Sequence, residues 1–171
     1  MWKYESCDIE NISLHDHSID AIQESGNNIL LIFNDGFDVA KTHPLNDTGK
    51  FKHTATSQII LKNAKLHSGI MYRWSWQKKM REQEEIKFTH FSLSGYSFEV
   101  LDWRLNFKAE NGTVKLCGNM FSEDVLENGY SELEFSCDDV LFCWNDYSED
   151  AWLEGDSYRL GGCFFEGNYD S

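Results

Sequence analysis

Between Leu101 and Lys108, apolar and polar residues alternate without a fault: Leu-Asp-Trp-Arg-Leu-Asn-Phe-Lys. A period of two puts every second side chain on one face of an extended chain, so the segment reads as a half-buried strand rather than a helix. It leads into Asn111-Gly112, the preferred pair for a two-residue type I′ turn, and Thr113-Val114-Lys115-Leu116-Cys117 returns with the same alternation. The expected element is a hairpin that sets Phe107 opposite Leu116 and Ala109 opposite Val114 on its buried face, with Lys108 opposite Lys115 outside. Upstream, Phe98 and Val100 have the opposite parity to Leu101 and Trp103, which predicts a bulge near Val100.

The same pattern recurs along the chain. Ile29–Phe33 is a short apolar run ended by Asn34-Asp35-Gly36, as expected for a central strand followed by a tight turn into Phe37-Asp38-Val39. Residues 54–66 read as one long strand, with Ala55, Ile59 and Leu61 on one face. Leu133, Phe135 and Cys137 alternate with Glu132, Glu134 and Ser136, and Asp138-Asp139 turns the chain into Val140–Trp144, which predicts a second hairpin. Helical signals are weak. Residues 77–86 (QKKMREQEEI) contain good helix formers, but their positive charges precede the negative ones, opposite to what the helix dipole favours. This stretch is expected as a helix or a crossover, and Ser122–Val125 as a single capped helical turn. The fold class that follows is mostly β: an antiparallel β-sandwich or open barrel with at most one or two short helices.

At 171 residues the chain has the size of one domain, and with 41% hydrophobic residues it has apolar material for one core, so a single β-rich domain over residues 1–171 is expected. The first residues lack the apolar run of a signal peptide, and no stretch approaches the ~20 apolar residues of a membrane span, so a cytoplasmic location is expected. Five cysteines without a C-x-x-C pair (Cys7, Cys117, Cys137, Cys143 and Cys163) read as buried reduced thiols rather than a disulfide framework or zinc knuckle.

Charge is distributed unevenly. The last 53 positions, 119–171, hold 14 of the 29 acids against Arg159 alone, so this third carries −13 of the formal −14. Such a field attracts a cationic partner and repels nucleic acid. Catalytic and metal motifs are absent at the level of local spacing. His15 and His17 lie two apart, but His43, His53, His67 and His90 are scattered without a partner spacing, so neither a metal nor a cofactor is expected. Asp146, Ser148 and Asp150 mimic the start of a calcium loop, which Ala151 and Ser157 then break at the positions needing Gly and Glu. No convergent carboxylate pair is visible, and an enzyme is not expected.

The acidic third does interleave aromatic residues with its acids. Exposed rings among carboxylates have the composition of an interface in which apolar anchors hold a partner and charge steers it in. The candidate partner-binding residues are Asp138, Asp139, Asp146, Glu149, Asp150, Glu154 and Asp156, with Trp144, Tyr147 and Trp152 as anchors. Leu14-His15-Asp16 leading to Ile29–Phe33, then Asn34-Asp35-Gly36-Phe37 and the acidic aromatic end, resembles the immunity proteins of bacterial polymorphic-toxin and contact-dependent growth inhibition systems. That resemblance implies tight binding to one cognate basic toxin, often a nuclease, whose active site or substrate surface is blocked. The alternative is a small-ligand or carbohydrate-binding sandwich in which Trp144 and Trp152 form a stacking platform.

Overall fold

The computed structural model describes residues 1–77, 80–88, 96–107, 112–122 and 129–151. Fifteen strands account for its regular structure, and no helix occurs among the described residues. In chain order they are β1 (Tyr4–Ser6), β2 (Ile12–Ser13), β3 (Ser18–Ile19), β4 (Ala21–Ser25), β5 (Asn28–Phe33), β6 (Asp38–Val39), β7 (Lys52–Thr54) and β8 (Ser57–Lys62). They continue as β9 (Lys65–Gln77), β10 (Met80–Phe88), β11 (Tyr96–Asn106), β12 (Gly112–Ser122), β13 (Gly129–Cys137), β14 (Asp139–Trp144) and β15 (Tyr147–Asp150). Three antiparallel sheets result, with strand orders β1-β14-β8-β5-β4, β10-β9-β13-β12-β11-β3 and β15-β7-β6-β2, none closed into a barrel. The mostly-β, sandwich-like expectation therefore holds. No helix of the described residues is long and apolar enough to cross a membrane.

Alternation explains which face each strand buries. In β13, Ser131, Leu133, Phe135 and Cys137 point inward while Glu132 and Glu134 lie on the outer face, where Glu132 meets Lys115 of the neighbouring strand at 2.6 Å. β11 and β12 form the expected hairpin, and the ladder shifts between Val100 and Asp102 where the parity of the sequence changes. Its register differs from the expected one. Leu105 faces Val114 and Trp103 faces Leu116, so the last pair is Asn106 with Thr113, and no two-residue turn closes at Asn111-Gly112. The slip is an even number of residues, so the buried face is unchanged, while Phe107 is left exposed beyond the ladder. Ala109 lies outside the described residues.

Three further expectations are corrected. Of residues 77–86, Gln77 and residues 80–86 belong to the paired strands β9 and β10, matched from Gln77 with Met80 to Gly69 with Phe88, while 78 and 79 lie outside the described residues; a long ladder overrides the intrinsic helix preference of this segment. Residues 54–66 are not one strand: β7 ends at Thr54 in the four-stranded sheet and β8 begins at Ser57 in the five-stranded one. Likewise β13 and β14 do not pair, because the chain crosses from the six-stranded to the five-stranded sheet at Asp138. The helical turn expected at Ser122–Val125 lies outside the described residues, apart from Ser122 at the end of β12.

The sheets meet around Phe37. Its ring packs edge-on against Phe33 (5.7 Å between centroids), Phe142 (5.9 Å) and Trp144 (6.1 Å), and Phe142 in turn meets Trp103 of the six-stranded sheet at 5.7 Å. Phe37 reaches this hub because Gly36 turns the chain with φ +81°, a left-handed conformation that glycine adopts without penalty. Thr54 then clamps the turn, accepting from Phe37 N–H at 2.9 Å through Oγ1 and donating its own N–H to Phe37 C=O at 2.9 Å.

Candidate functional site

The residues that the sequence marks for partner binding do not form one patch. Asp138 and Asp139 sit at the start of β14, while Asp146 and Tyr147 lie beyond its other end. The six residues of β14 span roughly 17 Å at the rise of an extended chain. Several of these acids are already engaged. Asp138 accepts from Asn63 Nδ2 at 2.6 Å, Asp139 pairs with Lys62 at 2.7 Å, and Asp150 pairs with Lys50 at 2.6 Å and with Lys52. Burial would raise the Asp139 carboxyl, but the Lys62 ammonium outweighs it and holds the group below its ordinary value. The lysines beside Asp150, through their hydrogen bonds, bring its carboxyl down to about 2. Asp146 is exposed, with Lys3 at 3.9 Å.

Trp144 corrects an expectation outright. It is fully buried, stacked on Tyr4 at 5.4 Å and edge-on to His43 at 5.5 Å, so it is a core residue rather than a surface anchor or stacking platform. The reason is position: Trp144 ends a strand held on both sides, by β1 and β8. Tyr147 is half-buried and donates its hydroxyl to Leu45 C=O at 3.2 Å. Glu149 faces His53 in the β15–β7 ladder. Trp152, Glu154 and Asp156 lie outside the described residues.

A second cluster has no counterpart in local sequence spacing. The four-stranded sheet carries a cross-strand row in which Ser13 faces Asp38, Asp38 faces His53, and His53 faces Glu149. Residues directly opposite on antiparallel strands share a face, so Ser13, Asp38 and His53 project together. His17 enters from the loop before β3, fixed by its N–H to Leu14 C=O at 3.1 Å and its carbonyl to Val100 N–H at 2.9 Å. The His17 and His53 rings lie 5.0 Å apart.

Asp38, buried at its centre, accepts from His53 Nδ1 at 2.8 Å through Oδ1, and its Oδ2 lies 3.4 Å from His17 Nε2. His53 Nε2 donates to the Asp35 carbonyl of the Asn34–Gly36 turn. Carboxylate and carbonyl oxygens here can only accept, so each ring nitrogen of His53 is placed to donate, an arrangement that favours the imidazolium. Its pKa is raised, first by the hydrogen bond to Asp38, against the opposing effect of burial. Burial alone would raise the Asp38 carboxyl, but the two imidazoles more than offset it and hold it below the ordinary value. The approach of His17 is longer, at 3.4 Å. It lies off the hydrogen-bond line, and His17 Nε2, Asp38 Oδ2 and Ser13 Oγ are buried without a hydrogen-bond partner among the described residues.

Sequence reasoning marked His17 but paired it with His15, and read Asp38 and His53 as unremarkable. Nothing local links positions 17, 38 and 53; sheet pairing does. The one legible hint is an acid set between Phe37 and Val39 in an apolar strand. No protein-family model matches this chain, and no curated protein or solved structure matches it either.

Proposed function

We propose that the protein is an immunity-type inhibitor, a binding protein without a catalytic step that neutralises a cationic toxin domain, of the nuclease class, through its acidic surface. The observation that carries this reading is the charge surplus. With 29 acids against 15 lysines and arginines the chain carries a formal −14 with histidines neutral, and Lys3, Lys50, Lys52, Lys62, Arg104 and Lys115 are themselves paired with acids. The surface that best fits docking is the end of the molecule beyond β14. There Asp146 and Asp47 both act on Lys3, and Leu45 is exposed; Trp152, Glu154 and Asp156 lie outside the described residues. Asp138 and Asp139, at the opposite end of β14, contribute to the field rather than to contacts.

The test is stopped-flow association with a basic nuclease toxin domain, in low and high salt. Asp47→Asn with Asp146→Asn is expected to slow association several-fold at low salt and to flatten its salt dependence. Association unchanged in both respects removes the reading. The ligand-binding alternative retains one observation in its favour. Tyr72 and Tyr130 face each other across β9 and β13 on the six-stranded sheet, stacked at 6.1 Å, and Asn119 beside them donates to Glu99 at 2.8 Å. Glycan-array binding that survives high salt and is lost in Tyr130→Ala would favour it.

A further inference from the structure

The His17, Asp38 and His53 side chains converge in a way that a buried ion pair alone does not require. One ligand-capable atom from each lies within 4.8 Å of the others. Two atoms bound to one zinc ion at about 2.0–2.1 Å and the tetrahedral angle stand about 3.3 Å apart. Asp38 Oδ2 and His17 Nε2 stand 3.4 Å apart, and Asp38 Oδ1 and His53 Nδ1 2.8 Å apart. The first pair is already at metal-ligand separation; the second, made through the other carboxylate oxygen, holds His53 Nδ1 against the same carboxylate.

Three further observations bear on the cluster. Two of its polar atoms, His17 Nε2 and Asp38 Oδ2, are buried 3.4 Å apart without forming a hydrogen bond. A buried nitrogen and a buried carboxylate oxygen left so are costly, and a cation between them satisfies both. The remaining ring nitrogen of His53 donates to the Asp35 carbonyl, the outer contact that ordinarily fixes the orientation and tautomer of a metal-bound imidazole. Ser13 Oγ, also without a partner, belongs to the residue directly opposite Asp38, where it can meet a water in the fourth coordination position. Access is provided by the imidazoles, each with 11% of its side chain exposed against 3% for Asp38.

The geometry points to a divalent transition-metal site of the zinc class, with His17 Nε2, His53 Nδ1 and one oxygen of Asp38 as protein ligands. Two nitrogens and one oxygen suit zinc, iron(II) or cobalt(II), and not calcium or magnesium, which take oxygen ligands. In the metal-free state a proton on His53 Nδ1 bridges to Asp38. Binding replaces that proton with the ion: the Nδ1–H bond breaks, the metal–nitrogen bond forms, and one proton leaves to solvent, with no change in oxidation state. The ion would join β6 and β7 of the four-stranded sheet to the loop that His17 anchors on β11. This is a clip between sheets, independent of the partner-binding proposal.

The experiment uses the full chain, stripped with EDTA and titrated with zinc chloride, with cobalt chloride as a spectroscopic probe. One zinc per chain is expected, with one proton released and the visible bands of four-coordinate cobalt. His17→Ala is expected to lose more than the ~10–100-fold in affinity typical of removing an outer-shell contact. Because His17 is largely buried, His17→Cys is the companion variant; it retains a ligand and should restore binding with a thiolate-to-cobalt charge-transfer band. Zinc bound at well under one per chain in millimolar zinc overturns the proposal and leaves a buried imidazolium–carboxylate pair. Full-affinity zinc binding in His17→Ala, or cobalt spectra identical in the wild type and His17→Cys, overturns it as well.

Discussion

Replacing Trp144 with alanine distinguishes a core residue from a docking anchor, because the two roles predict losses in different measurements. The indole is fully buried, with Tyr4, Phe37, His43 and Tyr147 all having ring centroids within 6.4 Å of it. Truncating a buried tryptophan to alanine costs ~3–5 kcal/mol from lost transfer energy and the cavity left behind. The aromatic contacts, each contributing ~0.5–1.5 kcal/mol beyond area, place this site at the upper end, about 4–5 kcal/mol. Collapse cannot recover much, since Tyr4 and Tyr147 belong to strands of two different sheets and Phe37 is held in the turn clamped by Thr54. With a urea m-value of about 2 kcal/mol/M, the unfolding midpoint followed by far-UV circular dichroism should fall by about 2 M. That is a large share of the ~5–15 kcal/mol by which a domain is stable. A loss below about 1 kcal/mol, accompanied by loss of partner binding, would refute the core assignment and return Trp144 to the surface.

Gly36→Ala should destabilise by more than the ~1–2 kcal/mol of a left-handed alanine alone, since the new Cβ would lie 2.2 Å from the Thr54 carbonyl oxygen; a fall in Tm below about 4 °C would contradict this. The Asp150 carboxyl, held at about 2 by Lys50 and Lys52, should stay ionised in carboxyl NMR titrations well below the ordinary value of about 3.9. Because its folded pKa is depressed, any stabilisation it provides is complete above the ordinary value and lost as pH falls through about 2; Lys50→Met with Lys52→Met should move the titration back up. Burial pushes the Cys137 thiol up to about 11 and that of Cys143 up to about 12. In the native protein at pH 8, Ellman's reagent followed by peptide mapping should therefore find Cys7 modified and Cys117, Cys137 and Cys143 protected until denaturant is added.

Strand identity was largely written in the alternation, because the period of two survives any change of partner. The slip in the β11–β12 register illustrates this: Trp103, Leu105, Val114 and Leu116 stay buried although every pairing moved. What alternation does not encode is which sheet a strand joins. β13 and β14 read as a hairpin and belong to different sheets, since Asp138 serves equally well as a turn or a corner. The same limit hid the histidine–aspartate cluster, whose members meet only once β2, β6 and β7 are neighbours. It also misplaced Trp144, since an aromatic among acids in sequence is not an aromatic among acids in space. The charge surplus, by contrast, is a sum over residues and needs no fold to be read.

β1, within the first six residues, pairs with β14, so Tyr4 finds its place only against Trp144. On a ribosome, that edge of the five-stranded sheet stays open until Trp144, 140 residues beyond Tyr4, has been made. Pairings this distant along the chain close slowly, and waiting strands are exposed to neighbours meanwhile. Truncation before Trp144 would therefore remove the partner of the amino-terminal strand as well as the acidic tail, and nascent chains stalled short of it should depend on chaperones to remain soluble.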